Sequence, residues 1–253
     1  MKLAESPLRH ALLAQVLGAA LASLALLLLP TPAIQPLALA TVQGICAALV
    51  SHLLRGPVWW LPIHLGFMPL AVLALGLGLP SWVWLAGFAL LLLIFWRTDR
   101  SRVPLYLSSA RTGEALAGLL PAGPVAVIDL GCGDGGLLHR LAGMRPDCRF
   151  VGFEHAPLPW VWARIRCRRQ PNVEIRYGDF WAHPLGDYAL VYAFLSPAPM
   201  PRLWLRAKAG MKPGALLVSN SFAVPGMAPE RVVEVADSRR THLYCYRPTG
   251  QKP

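Results

Sequence analysis

Acidic side chains are scarce in this chain, and its first 96 residues hold a single one, Glu5. The same stretch carries only Lys2, Arg9 and Arg55 as basic residues. So little charge over so long a run excludes an ordinary solvated surface for that part. Cysteine is also sparse. Cys46, Cys132, Cys148, Cys167 and Cys245 make an odd number, and no two stand at C-x-x-C spacing. That argues against a disulfide framework and against a zinc site, so no metal is expected. The thiols fit a reducing compartment, as small core residues.

What is present divides the chain in two. Nearly all the charge lies in 97–253, where basic residues outnumber acidic ones, while the mean hydropathy of +0.46 is carried largely by the part before it. Four apolar segments follow one another there, at about 8–29, 34–54, 58–79 and 82–96. Pro30-Thr31-Pro32, Arg55-Gly56-Pro57, Pro80-Ser81 and Arg97 end them in turn. A membrane span needs roughly 20 apolar residues. The first three segments reach that length, and the fourth extends past Arg97 only by snorkelling. Trp59, Trp60, Trp82, Trp84 and Trp96 stand near segment ends, where indoles favour a membrane boundary. His52 and His64 read as satisfied or interfacial histidines.

The expected organisation is therefore a transmembrane region of four helices over 1–97, a junction over 98–124 and a second domain over 125–253. A signal peptide is the rival reading, with Lys2 and Arg9 before the apolar run and Leu37-Ala38-Leu39-Ala40 as a cleavage-like site. The apolar region continues too far beyond that site to favour it. Four spans place both termini on one side. Lys2, Arg9, Arg55, Arg97, Arg100 and Arg102 make that side cytoplasmic, in a multi-pass inner-membrane protein. The bilayer is thus an expected partner, and the basic charge of the second half suits its anionic headgroups. Arg164, Arg166, Arg168 and Arg169 cluster, but no aromatic–basic alternation accompanies them, so nucleic acid is not expected.

The second half is organised around Val125-Ala126-Val127-Ile128-Asp129-Leu130-Gly131-Cys132-Gly133-Asp134-Gly135-Gly136-Leu137. A β-branched apolar run reads as a buried strand, the glycines as a tight turn, and Leu137 onwards as a helix. Such a turn aims backbone N–H groups at a ligand. Gly131-x-Gly133-x-x-Gly136 formally matches the dinucleotide fingerprint. Asp129, however, would repel a diphosphate and welcome an ammonium. Alternating strands follow at 149–154, 173–179, 188–195 and 215–220. Helices are expected at 108–120, 157–169 and 200–209, and a terminal strand pair at 232–235 and 242–246. The alternation predicts a largely parallel sheet with helices on both faces and ligands at the strands' carboxyl ends. Glu154 ends the second strand, where its two oxygens match a ribose diol. Asp179 ends the third and could accept from an adenine amino group, with Phe180 or Trp181 covering the ring. Leu195-Ser196-Pro197 leaves the fourth, where the reacting group should sit.

Asp129-Leu130-Gly131-Cys132-Gly133-Asp134-Gly135 resembles the first motif of class I S-adenosylmethionine methyltransferases. Val103-Pro104-Leu105-Tyr106, Gly152-Phe153-Glu154, Phe194-Leu195-Ser196-Pro197, Lys212-Pro213-Gly214 and Ser219-Asn220-Ser221-Phe222 join it in order. The series is similar to the membrane-associated lysine methyltransferases related to those of the ATP synthase c subunit and the adenine nucleotide translocase. The resemblance covers about 103–224. It implies an α/β, Rossmann-like class I sheet, S-adenosyl-L-methionine as cofactor, and methyl transfer to a lysine of a membrane protein. It also implies that Gly131, Gly133 and Gly135 approach the cofactor, Asp129 meets its amino-acid head, Glu154 its ribose, and Ser196 and Pro197 form the acceptor-side turn; Cys132, His155, Asp179, Phe180 and Phe194 complete the candidate cofactor residues. His155, Asp187, Tyr188 and Tyr192 are candidates for taking the acceptor's proton. Ser196-Pro197 departs from the N-P-P-[YF] signature of many amino-group methyltransferases, which leaves the acceptor atom open; spans beside the site suit a lipid, a quinone or another lipophilic molecule as acceptor too. A membrane scaffold without catalysis is the third reading.

Overall fold

Proline or glycine stands beside several ends of the first four helices. The computed structural model describes residues 7–28, 35–96 and 106–248. Lys2, Glu5, Pro30-Thr31-Pro32, Arg97, Arg100, Arg102 and Val103-Pro104-Leu105 lie outside the described residues. Helix α1 covers Pro7–Leu28 and α2 covers Pro36–Leu53, opening on Pro36, whose fixed φ suits a first helical turn. Helix α3 covers Trp60–Leu75 and α4 covers Ser81–Ile94. The third segment therefore makes a shorter helix than the expected 58–79. Pro57 stands before it, and Gly76-Leu77-Gly78 turns after it with Gly78 at φ +63°. Two helices, α1 and α2, are long and apolar enough to cross a membrane; α3 and α4, at 16 and 14 residues, are shorter.

The chain forms two compact units, Met1–Leu85 and Ala86–Pro253, divided within α4 and thus before the expected break at 97. In the first unit the contacts between α1, α2 and α3 are made by small residues. Ala14, Ala22 and Ala47 are 0%, 2% and 0% exposed, while Leu13, Val16, Leu24 and Leu49 on the same helices are exposed. A Cβ on Gly18 would fall 2.6 Å from Ala47 Cα, and one on Gly44 would fall 2.7 Å from the Leu65 oxygen. The backbones approach as closely as glycine permits. Three polar side chains lie among these small residues. Gln43 Nε2 donates to Gln15 Oε1 at 2.8 Å, and Gln15 Nε2 stands 3.0 Å from His64 Nδ1. Since the amide nitrogen can only donate, the His64 proton sits on Nε2. Through Nδ1 His64 joins the chain that links three helices, while its buried Nε2 has no hydrogen-bond partner among the described residues.

In the second unit, α5 covers Ala110–Ala117, opened by Ser109, whose side chain accepts from the Thr112 N–H. It is shorter than the expected 108–120. Strand β1 is Ala126–Leu130, α6 is Gly136–Met144, β2 is Arg149–Glu154 and α7 is Pro157–Cys167. Then come β3 at Val173–Tyr177, β4 at Leu190–Ala193, α8 at Met200–Gly210 and β5 at Leu216–Asn220. Strands β6, Arg231–Glu234, and β7, His242–Tyr246, close the chain as the expected terminal pair.

The seven strands form one sheet in the order β3-β2-β1-β4-β5-β7-β6. The first five run parallel, and β7 pairs antiparallel with both β5 and β6. Side chains alternate between two cores. Val127, Phe150, Leu190, Tyr192 and Val218 meet Leu116, Leu138, Leu141 and Ala163 on one face. Ile128, Leu130, Val151, Val191 and Leu217 meet Leu203, Trp204 and Ala207 of α8 on the other. Both faces are covered, as strands this apolar require. The strand order reverses beside β1, between β2 and β4, and a crevice opens there past the carboxyl ends.

Candidate active site

The glycine loop leaves β1 at that crevice. Gly131, Gly133 and Gly135 have φ of +103°, +56° and +71°, a region that residues with a Cβ rarely occupy. At Gly135 space is also short, because a Cβ would lie 3.0 Å from that of Ala163 on α7.

Most of the loop's N–H groups, expected to face a ligand, are bonded within the protein. Gly131 and Cys132 both donate to the Phe153 oxygen, at 3.0 and 2.8 Å. Gly135 donates to the Cys132 oxygen at 3.0 Å, and Gly136 to Asp134 Oδ1 at 2.9 Å. What its three glycines contribute is close access to the backbone.

Glu154 explains part of this. Its Oε2 accepts from the Gly133 N–H at 2.9 Å, and its Oε1 accepts from the N–H groups of His155 and Ala156, both at 2.8 Å. The carboxylate ties the loop to the turn between β2 and α7. A carboxylate has about four acceptor sites, so three are in use and little is left over for a diol unless the loop bonds change.

Asp129 is different. It is 3% exposed, and its Oδ1 has no hydrogen-bond partner among the described residues. Burial, with the Glu154 carboxylate adding to it, pushes Asp129 up to about 8. An unpartnered buried acid beside a second carboxylate is a costly arrangement. A cation arriving there would relieve it.

Asp129, Gly131, Cys132 and Asp134 line a small cavity together with Tyr106, Ser108, Tyr192 and Phe194. Asn220 Nδ2 donates to the Tyr192 hydroxyl at 2.6 Å, and Ser108 Oγ lies 2.8 Å from the same oxygen. With Asn220 as donor, the Tyr192 proton is directed to Ser108. Burial raises the Tyr192 phenol above its ordinary value, and Asp129 adds to this. Tyr192 therefore keeps its proton and is a donor rather than a base. Tyr106 and Phe194 stack with centroids 4.7 Å apart, and Phe222 approaches Tyr106 at 5.8 Å.

The other candidates are dispersed. His155 is half-buried, with Nδ1 3.4 Å from Glu154 Oε1. Asp179 is exposed and uses Oδ1 to accept from the Trp181 N–H, opening a 3-10 turn at Phe180–Ala182. Phe180 packs on Trp181 and does not line the cavity. Ser196 is buried with an unpartnered Oγ, and Pro197 beside it is exposed. Asp187 is exposed, and Tyr188 is bonded to His183 at 2.7 Å. Ser108 and the Tyr192–Asn220 bond were not singled out by sequence reasoning. Asn220 at a carboxyl strand end was a usable signal; Ser108, which reads as the start of a helix, gave none. Among the described residues no group of three or more metal-ligating side chains comes together.

A model of the family described as the ANTKMT methyltransferase domain matches residues 129–231. The adenine nucleotide translocase lysine N-methyltransferase of Mus musculus is 31% identical over 160 residues, which cover 61% of this chain and 67% of that protein. A protein-lysine N-methyltransferase of Saccharolobus islandicus (strain REY15A) is 29% identical over 130 residues, covering 47% of this chain and 77% of that one. Among solved structures, an RNA methyltransferase from Salinibacter ruber in complex with S-adenosyl-L-homocysteine superposes with a TM-score of 0.53 at 24% identity. That likeness covers 58% of this chain and 97% of the other, and it concerns the fold.

Proposed function

We propose, from the premise that this chain belongs to the ANTKMT methyltransferase family and is an S-adenosylmethionine-dependent methyltransferase, that it methylates a lysine of a membrane protein while its first helices hold it in a lipid bilayer. The observation that carries the cofactor side is the buried, unpartnered Oδ1 of Asp129 at the carboxyl end of β1. It suits the ammonium of an amino-acid head, and the family membership supplies the lysine.

The residues fit that cofactor. S-adenosylmethionine supplies a methyl group already activated by its sulfonium. Asp129 takes the amino-acid head, and its carboxyl gives up its proton as the cation arrives. Gly131, Cys132, Gly133 and Gly135 allow close approach. Glu154 keeps the loop in place and is the carboxylate at hand for the ribose, with His155 beside it. Asp179 and Phe180 are assigned to the adenine end, and Phe194 to the wall of the reacting pocket. On the acceptor side, Ser196 and Pro197 form the rim. A lysine amine must lose its proton before it attacks. The apolar wall of Tyr106, Phe194 and Phe222 disfavours its charged form by desolvation. Alignment accounts for the remaining acceleration.

Bilayer anchoring is supported by the first unit's packing. Small residues meet inside, while large apolar ones such as Val16, Leu24, Leu27 and Leu49 face outward. This is the arrangement expected of helices solvated by lipid. The test is incubation of membranes with methyl-labelled S-adenosylmethionine, with and without the protein, followed by separation of protein from lipid. Label in protein is expected. Label confined to lipid would replace a lysine acceptor by a lipophilic small molecule.

A further inference from the structure

Helix α7 carries a face that methyl transfer leaves unused. Its inner side, Pro159, Ala163 and Cys167, is buried, and Cys167 Sγ reaches to 3.6 Å from the Gly135 oxygen. Residues spaced to lie opposite are Val161, Trp162 and Ile165, exposed by 42%, 56% and 55%. Among residues 106–248 most side chains of such size are buried, so an outward stripe of three on one short helix is out of pattern there.

The charges around the stripe have one sign. Arg164 lies over the Trp160 ring at 5.3 Å, and Arg168 and Arg169 follow at the helix end, exposed. Arg166 alone turns inward, to Asp134 Oδ2 at 2.6 Å. No Asp or Glu occurs between Glu154 and Glu174, so no acid on the helix offsets the three outward guanidinium groups. A convex apolar stripe flanked by cations, with a tryptophan in it, is the pattern of a helix that lies at a membrane surface.

We infer that this face of α7 docks on anionic lipid headgroups, with Val161, Trp162 and Ile165 at the headgroup–acyl boundary and Arg164, Arg168 and Arg169 on the phosphates. The contact lies wholly on the second unit. It is separate from the anchoring assigned to the first helices and rests on the proposed function only in requiring a bilayer nearby. Because the inner side of the same helix supports Gly135, docking would bring the rim of the cofactor site to the lipid surface.

The full chain, with Ile165→Cys carrying a polarity-sensitive fluorophore, is reconstituted in phosphatidylcholine vesicles with or without phosphatidylglycerol. Parallel samples without the new cysteine give the background from Cys46. The inference expects a blue-shifted emission, quenched by spin-labelled lipid, that is stronger with phosphatidylglycerol and lost in high salt. Arg168→Glu with Arg169→Glu should weaken this docking by roughly thirty-fold, from about fivefold per cation lost. S-adenosylhomocysteine affinity should stay unchanged, which shows that the variant folds. Equal emission in both vesicle types would overturn the inference. So would a shift produced by an added protein acceptor and indifferent to lipid charge, because the face would then dock protein. Alkaline extraction of the same vesicles reports separately on anchoring: a chain released by alkali contradicts the anchor, not the docking of α7.

Discussion

The two units of this chain are packed by opposite rules. In the sheet unit, Phe150, Leu130, Leu141 and Tyr192 are essentially fully buried, and water meets mostly charged residues. In the helical unit, alanine, glycine and the Gln15–Gln43–His64 chain lie inside, and leucines, valines and tryptophans lie outside. One unit is held by removing large apolar groups from water. The other buries few large apolar groups and relies on close backbone contact and polar links, as the proposed bilayer setting would require. The same glycine-rich, leucine-rich vocabulary therefore has different meanings on the two sides of the division.

Glycine substitutions test this contrast with the largest effect. A Cβ at Gly152 would meet Leu138 Cδ1 at 2.5 Å and Cys132 Sγ at 2.8 Å. Gly152→Val should destabilise the sheet unit by about 3 kcal/mol, the upper range for overpacking, read as loss of S-adenosylhomocysteine-protected thermal unfolding. Gly66→Ala on α3 of the helical unit, where the nearest atom, Leu70 Cδ1, is an ordinary 3.5 Å away, should change stability by less than about 1 kcal/mol. Equal effects at the two sites would erase the contrast.

Asp129 sharpens the comparison within the sheet unit, where a polar group is left without a protein partner. Asp129→Asn should weaken S-adenosylhomocysteine binding by roughly tenfold to a hundredfold, the range for a lost charge-assisted bond, measured by calorimetry. The same variant should melt at a higher temperature above about pH 8. The sign follows from Asp129 being pushed up to about 8. A raised acid favours the folded state below its ordinary value near 4, and that contribution is lost as pH climbs towards 8. The asparagine has no such loss.

A smaller effect concerns binding and pH in the unaltered protein. Below about 8 the arriving cation must displace the Asp129 proton. Affinity should rise with pH by at most about tenfold per unit and flatten above that value. Calorimetry in buffers of different ionisation enthalpy would count the released proton; no release would remove Asp129 from the site. The smallest effect is expected at Arg166, whose pair with Asp134 is partly exposed, at 32% and 29%. Arg166→Ala should weaken cofactor binding by about threefold, with Arg166→Lys between.

Much of the sheet unit was legible because its signals are local. Alternating apolar strands, a glycine turn after β1 and an acid at the end of β2 each follow from a few neighbouring residues. What Glu154 does there was not legible, since its partners Gly133, His155 and Ala156 converge only in the folded turn. That Asp179 also caps the next turn, its Oδ1 accepting from the Trp181 N–H, was not legible either. In the helical unit, length was overread. Apolar residues continue through Gly76 and Gly78, but the helix ends at Leu75. The polar chain from Gln15 to His64 spans three helices and has no sequence signature at all.

The most direct test of the account is amino-acid analysis of membrane proteins after incubation with methyl-labelled S-adenosylmethionine and either the unaltered protein or Asp129→Asn. The account predicts methyl-lysine with the unaltered protein and very little with the variant. Label found only on a residue other than lysine, or methyl-lysine in equal amounts with both proteins, would contradict it.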